Sequence, residues 1–253
     1  MLRAEPIDPA EVAAQGSAEA GCGPAATPQL KLAVERMRFA LGVDDDLGEF
    51  FRRFRRDPLL GPMLRRRPHL RPRRRPWPWE ALAWAVVKQL IESGRAAQIQ
   101  RRIVGRWGPR MGSDGGALRD VPGAALIAGS APAEFEQLGL SPSRSIALRV
   151  VAREIALGRC DPGERDADRR LLALPEVGPW TVQCLGLFGR GEPDSLPAGD
   201  LMYLKLVGRL VRLGRRATIE EVEEFYAPYA PFRGLAAAWM SRFAVSSNSP
   251  PRR

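Results

Sequence analysis

Residues 171–201 read L-L-A-L-P-E-V-G-P-W-T-V-Q-C-L-G-L-F-G-R-G-E-P-D-S-L-P-A-G-D-L. The stretch predicts the end of one helix, a tight turn over Pro175 to Pro179, a second helix beginning near Trp180, and a loop that stops at Asp200. Glycine at 178 is expected to take a backbone geometry closed to other residues, and Pro179 suits a first helical position. A helix start of this kind leaves free N–H groups at a positive helix end, which is an anion site, most often for phosphate. Pro197, Ala198 and Gly199 then turn the backbone just before one carboxylate, Asp200, that opens an apolar helix expected over 201–213. Two readings stay open on spacing alone. The turn is a phosphate site with an acid beside it, or it is a structural αα-hairpin whose Asp is a plain N-cap.

L-P-E-V-G-P-W-T at 174–181, followed by L-P-A-G-D-L at 196–201, resembles the helix-hairpin-helix and Gly/Pro-rich loop plus Asp signature of the helix-hairpin-helix DNA glycosylase superfamily. Within it the likeness is to the 3-methyladenine DNA glycosylase II branch. The resemblance covers roughly residues 77–245. It implies an all-α fold of two helical lobes flanking a DNA-binding cleft. It also implies that Asp200 is catalytic, that Val177, Gly178, Pro179 and Thr181 hold the DNA backbone, and that Trp180 and Cys184 line the base pocket. In this family a Gln and a following bulky residue wedge into the duplex where the damaged nucleotide has left; here that pair is Gln89 and Leu90. An apolar filler partly replaces the few kcal/mol of stacking lost on flipping. The alternative for Leu90 is an ordinary core leucine in register with Leu82 and Val86.

The rest of the chain agrees with a polyanionic partner. With 253 residues there is room for one good-sized domain or two small lobes around a cleft. The net charge is +10, and 36 of the 39 basic residues are arginine, so genome composition contributes to the bias as well. Eleven arginines fall within 52–75, either gripping phosphates without reading sequence or forming a solvated connection. No apolar run reaches membrane-spanning length and no signal peptide is apparent, so a cytoplasmic protein, nucleoid-associated in a bacterium, is expected. Three dispersed cysteines and one histidine, His69, build neither a disulfide framework nor a metal centre, so no metal is expected.

Four regions are expected: a loosely ordered segment 1–29, a short N-terminal region with an Arg/Pro-rich connection over 30–76, the glycosylase-like domain at 77–245, and a flexible tail at 246–253. Residues 31–43 alternate in a way that suits a short β remnant, while their length also suits a helix. L-G-E-F-F-R-R-F-R-R at 47–56 predicts an amphipathic helix with Leu47, Phe50, Phe51 and Phe54 inward. Further helices are predicted from Pro78, from Arg95 to Trp107 after a Ser93-Gly94 break, over 133–137, over 142–157 with Ile146, Val150, Ile155 and Leu157 buried, over 166–173 and over 219–226. The closing helix follows A-P-F-R-G, with Phe232 where the family usually has Trp.

Breaking the bond between a base and deoxyribose builds positive charge on the sugar, which a carboxylate stabilises while orienting water. A base alkylated at a ring nitrogen is itself cationic, so an aromatic face, from Trp180 with Trp84 or Trp239, suits it. Members of the superfamily that also nick the strand carry Lys where this chain has Trp180. Lysines occur only at 31, 88 and 205, so an amine nucleophile is expected to be missing from the site. The expectation is a monofunctional, monomeric, cofactor-free glycosylase for alkylated purines in double-stranded DNA. The alternatives are a glycosylase for another lesion, such as a deaminated base, and a non-catalytic DNA-binding module.

Overall fold

A computed structural model describes residues 28–110 and 118–247, and the expectations for the two chain ends fall largely outside them. The chain divides into two units after Glu35. Of the first, only residues 28–35 are described, as the opening turns of helix α1 (Pro28–Leu41). The second carries the remaining elements, and the described residues hold thirteen α-helices and no strand, only an isolated bridge between Arg110 and Arg119. None of these helices is long and apolar enough to cross a membrane. The β remnant expected near 31–43 is overturned, because α1 runs through it. Its alternation was weak, with Arg36 and Arg38 on the supposedly inward face.

Two hydrophobic cores organise the second unit. The first is built by α4 (Pro78–Lys88), α5 (Ser93–Trp107), α6 (Ala124–Gly129), α7 (Pro132–Gln137), α8 (Pro142–Ala156), α9 (Ala167–Leu172) and α10 (Pro179–Leu185). Leu82, Val86, Ile99, Ile103, Ile127, Phe135, Leu148, Leu171 and Leu185 pack in it. Proline opens α4, α7, α8 and α10 at the position where a missing N–H costs nothing. The second core joins α2 (Gly48–Phe54) and α3 (Leu60–Arg66) to α11 (Leu201–Leu210), α12 (Ile219–Tyr226) and α13 (Arg233–Ser247). Phe50 stands edge-on to Phe54 at 5.4 Å, and Phe232 tilts against Phe50 at 5.5 Å. Phe232 therefore fills an aromatic cluster. Each such ring, fully buried, contributes about 1.5–3 kcal/mol.

Three boundaries or faces differ from the sequence reading. Helix α5 begins at Ser93, with the chain break at 89–91 instead of at Ser93-Gly94. Helix α11 stops at Leu210, where the chain turns through Arg212 at a positive φ of 57°. Helix α8 buries Ser145, Ala147, Leu148, Val151 and Ala152 and leaves Ile146 and Leu157 about half exposed. Small residues win that face because α6 packs closely along it.

Candidate active site

The hairpin joins α9 to α10 across Pro175–Gly178. The residue in the left-handed region is Glu176, at φ 63°, while Gly178 is extended at φ −103°, ψ 178°. The expected role of Gly178 is thus corrected, since its own conformation is open to any residue. No heavy atom lies within 4 Å of the place its Cβ would occupy, so the space over its backbone is free for an approaching ligand. Pro179 is the first residue of α10, as expected, and the Gly178 carbonyl accepts from Thr181 N at 3.0 Å. Among the described residues the N–H groups of Gly178 and Trp180 find no backbone acceptor. Val177 and Thr181 are buried, anchoring the turn.

Opposite the hairpin, α4 ends at Lys88 and the chain turns out through Gln89. The Gln89 amide donates to the Glu176 carbonyl at 2.8 Å and to Thr181 Oγ1 at 2.9 Å, while its own carbonyl accepts from Arg144 Nη1 at 2.8 Å. Pinned this way, the next residue projects. Leu90 sits at φ 55° with its side chain fully exposed, 103% of the reference area. A leucine held in a left-handed conformation and bare to water costs stability on both counts, of order 1–2 kcal/mol for the backbone alone. The core-leucine alternative is thereby removed.

Asp200 caps α11: its Oδ1 accepts from Met202 N at 2.8 Å, and its own N–H closes a turn onto Pro197 O at 2.9 Å. The residue before it, Gly199, lies against Trp180, whose ring atoms come within 3.8 Å of an ideal Cβ there. Trp180 is half-buried, and its indole N–H is buried with no acceptor. Trp84 donates to Glu80 inside the first core, and Trp239 is buried among Phe50 and Phe51 in the second. Neither offers a face to the site, which corrects that expectation.

Cys184, one turn beyond Trp180, is buried, and burial followed by the Asp200 charge pushes its thiol far up, against the opposing pull of Lys88. It stays a neutral thiol. Desolvation first, and the Arg75 charge second, lower the Lys88 pKa, while the charges of Cys184 and Asp200 oppose. Tyr203, buried beside them, is likewise raised by desolvation and then by Asp200.

The loop that delivers Asp200 is braced in ways the sequence did not signal. After α10 a π-helical turn, Gly186–Arg190, ends in a guanidinium that binds Asp168 at 2.8 and 3.1 Å and Glu192 at 2.9 Å, almost wholly buried. Ser195 donates to Gln183 O at 3.0 Å, and Arg233 at the start of α13 forks onto Asp194 at 2.9 and 2.6 Å. Bidentate charge-assisted pairs of this kind fix geometry as well as adding energy. In the arginine-rich span, Arg74 is committed to Asp45 and Arg75 to Glu80, while Arg52, Arg53, Arg55 and Arg56 are exposed. His69 is exposed.

No family profile matches the chain. A DNA-3-methyladenine glycosylase of Bacillus subtilis is 24% identical over 206 residues, 79% of this chain and 68% of that protein. Among solved structures, a 3-methyladenine DNA glycosylase of Archaeoglobus fulgidus superposes with a TM-score of 0.74 at 21% identity, covering 88% of this chain and 78% of that one. A Schizosaccharomyces pombe 3-methyladenine DNA glycosylase solved with abasic DNA gives 0.57 at 24% identity over 68% and 83%. The fold is that of the helix-hairpin-helix DNA glycosylase superfamily. By sequence the chain is distantly homologous to 3-methyladenine DNA glycosylases.

Proposed function

We propose that the protein is a DNA N-glycosylase of base excision repair that flips alkylated purines of the 3-methyladenine type out of double-stranded DNA and releases them by hydrolysis. The observation that carries this reading is Leu90: fully exposed, left-handed, and fixed by Gln89 to the same hairpin that supplies the free N–H groups. That arrangement costs the isolated fold and has a use only where the side chain enters something. In this reading Leu90 fills the stack, Val177 to Thr181 hold the backbone, and the flipped base meets Trp180 above Cys184.

Asp200 then does the chemistry. Its Oδ1 is held by Met202 N, which fixes the carboxylate plane and leaves the second oxygen to face the sugar. As the glycosidic bond lengthens, that oxygen stabilises the growing positive charge and orients the water that adds at C1′. Trp180 at the hairpin position carries no amine, so base release itself involves no covalent bond to the hairpin. No cofactor is needed for this step.

A second reading is favoured by one observation. Lys88, exposed beside the Gln89 anchor on the hairpin, puts a positive charge at this end of the site that disfavours a cationic base and suits a neutral one, such as a deaminated purine. Incubation with duplexes carrying either lesion, followed by chromatography of released bases, separates the two. Release of 3-methyladenine, at least a hundredfold slower in Asp200→Asn and about tenfold slower in Leu90→Ala at unchanged Tm, supports the principal reading. Salt-sensitive binding without release of either base leaves a DNA-binding module.

A further inference from the structure

Residues 52–67 carry seven arginines and a single acid, Asp57. That acid is engaged within the turn between α2 and α3, accepting from Leu59 N at 2.9 Å, Leu60 N at 2.6 Å and the Tyr229 hydroxyl at 3.2 Å. Phe50, Phe54, Leu60 and Leu64 turn one side of the two helices into the second core, and Arg52, Arg53, Arg55, Arg56, Arg65 and Arg66 are exposed on the other. Among the described residues none of these six is in a salt bridge. Arg65 Nη1 donates to the Arg55 carbonyl at 2.9 Å, and the α3 backbone comes so near that a Cβ on Gly61 would stand 2.6 Å from the same oxygen. The arginines of α2 and α3 therefore form one face.

This face is set apart from the proposed site of base release. The rings of Tyr203, Tyr226, Tyr229 and Phe54 follow one another at centroid separations of 6.3, 6.0 and 5.2 Å, leading from the first turn of α11 to α2. The second core thus stands between Asp200, which opens α11, and the arginines on the outer side of α2. The hairpin and Leu90 belong to elements of the first core. We propose that the α2–α3 face holds a second segment of undamaged double-stranded DNA while the hairpin holds the first; this rests on the reading of the hairpin as a DNA site.

The chemistry of the face selects this occupant. Six guanidiniums without a carboxylate among them repel one another, a cost that a polyanion relieves. Their planar forks match phosphate oxygens and are weakly hydrated, so little is lost on contact. Phe50 and Phe54 point inward, which leaves no ring on which an unpaired base could stack, as single strands require. Of the large apolar side chains in 48–67 only Leu59 is exposed, at 36%, so the buried anchor that a protein partner needs is missing. The regular phosphate rows of a duplex remain, gripped without regard to sequence. A chain that holds two segments can pass from one to the other without leaving DNA.

The test uses the full chain on an immobilised duplex with one abasic site, washed free of unbound protein and then offered a fluorescent undamaged duplex. The wild-type protein should retain the second duplex, with one protein per pair of duplexes by sedimentation and a retention that falls as salt rises. Arg52→Glu, Arg56→Glu and Arg66→Glu combined should cut retention by about tenfold or more, and the same three changed to Gln by less, with thermal unfolding and binding of the first duplex unchanged. No second duplex on a wild-type protein that holds the first, retention that survives the Glu variant, or two proteins per pair of duplexes overturns the proposal and leaves the hairpin reading standing. Loss of the first duplex in both the Glu and the Gln variants overturns it as well, since the face then serves the segment at the hairpin. Failure of the wild type to hold the first duplex would remove this proposal and the glycosylase reading together.

Discussion

Glu176 concentrates a conflict between local geometry and ligand. It is the residue of the hairpin that needs a left-handed backbone, and it carries a negative charge beside the proposed phosphate site. Glycine would meet the first demand without the steric cost and remove the second. Glu176→Gly should leave the carbonyl that Gln89 uses in place, stabilise the fold by roughly 0.5–1 kcal/mol in urea unfolding, and tighten DNA binding about threefold at low salt. Weaker binding in the variant would mean that the Glu176 side chain itself holds DNA or an ion on it. The motif letters at 174–181 could not reveal which hairpin residue is left-handed, because a Gly at 178 draws that assignment to itself. Only the backbone shows that the neighbouring turn has already absorbed the strain.

Among the elements, α12 offers the clearest pH handle. Thr218 and Glu221 form a reciprocal capping box: Glu221 N donates to Thr218 Oγ1 at 3.2 Å, and Thr218 N donates to Glu221 at 2.7 Å. Two bonds from Arg215, first, and the Thr218 N–H, second, lower the Glu221 carboxyl to about 2. A depressed acid stabilises the fold fully above its ordinary value of about 4.5 and loses that contribution as pH falls toward about 2. Amide exchange at residues 219–223 should therefore quicken over that window, and Thr218→Ala should cost about 1 kcal/mol at neutral pH, read by thermal unfolding. Helices with such end signals were legible from sequence: α4, α7, α8, α10 and α12 all start where Pro or a capping residue marks them. Helix α1 also begins on a proline, Pro28, but the alternation over 31–43 offered a strand beside the helix, and the buried side of α8 was misread because bulk was taken for burial when a neighbouring helix demanded small residues.

For the molecule as a whole, the balance of +10 is spread unevenly. The far end of α11 borders an open groove of about 800 Å³ lined by Lys205, Arg209, Arg212, Arg215 and Arg216, of which, among the described residues, only Arg215 is committed to a carboxylate, Glu221. If DNA runs from the hairpin along this end, each phosphate held there adds about 0.9 to the salt slope of binding. Arg209→Ala and Arg212→Ala, titrated with undamaged duplex across 50–200 mM salt as the usual range, should each lower the slope by about that amount and leave base release at saturation unchanged. The all-α plan followed from sequence through the motif. The pairing of Gln89 with Thr181 did not, since 92 positions separate them in the chain and only the packing of α4 on α10 closes the distance. The indole N–H of Trp180 is enclosed beside the Asp200 loop with nothing to donate to, whereas the other enclosed, unpartnered indole, Trp239, lies deep in the second core. In the proposed reading, a purine ring arriving next to Trp180 changes both the stacking and the polarity that govern its emission. The protein therefore carries an intrinsic optical indicator of nucleotide entry, one that rapid-mixing fluorescence can follow without any label on the DNA.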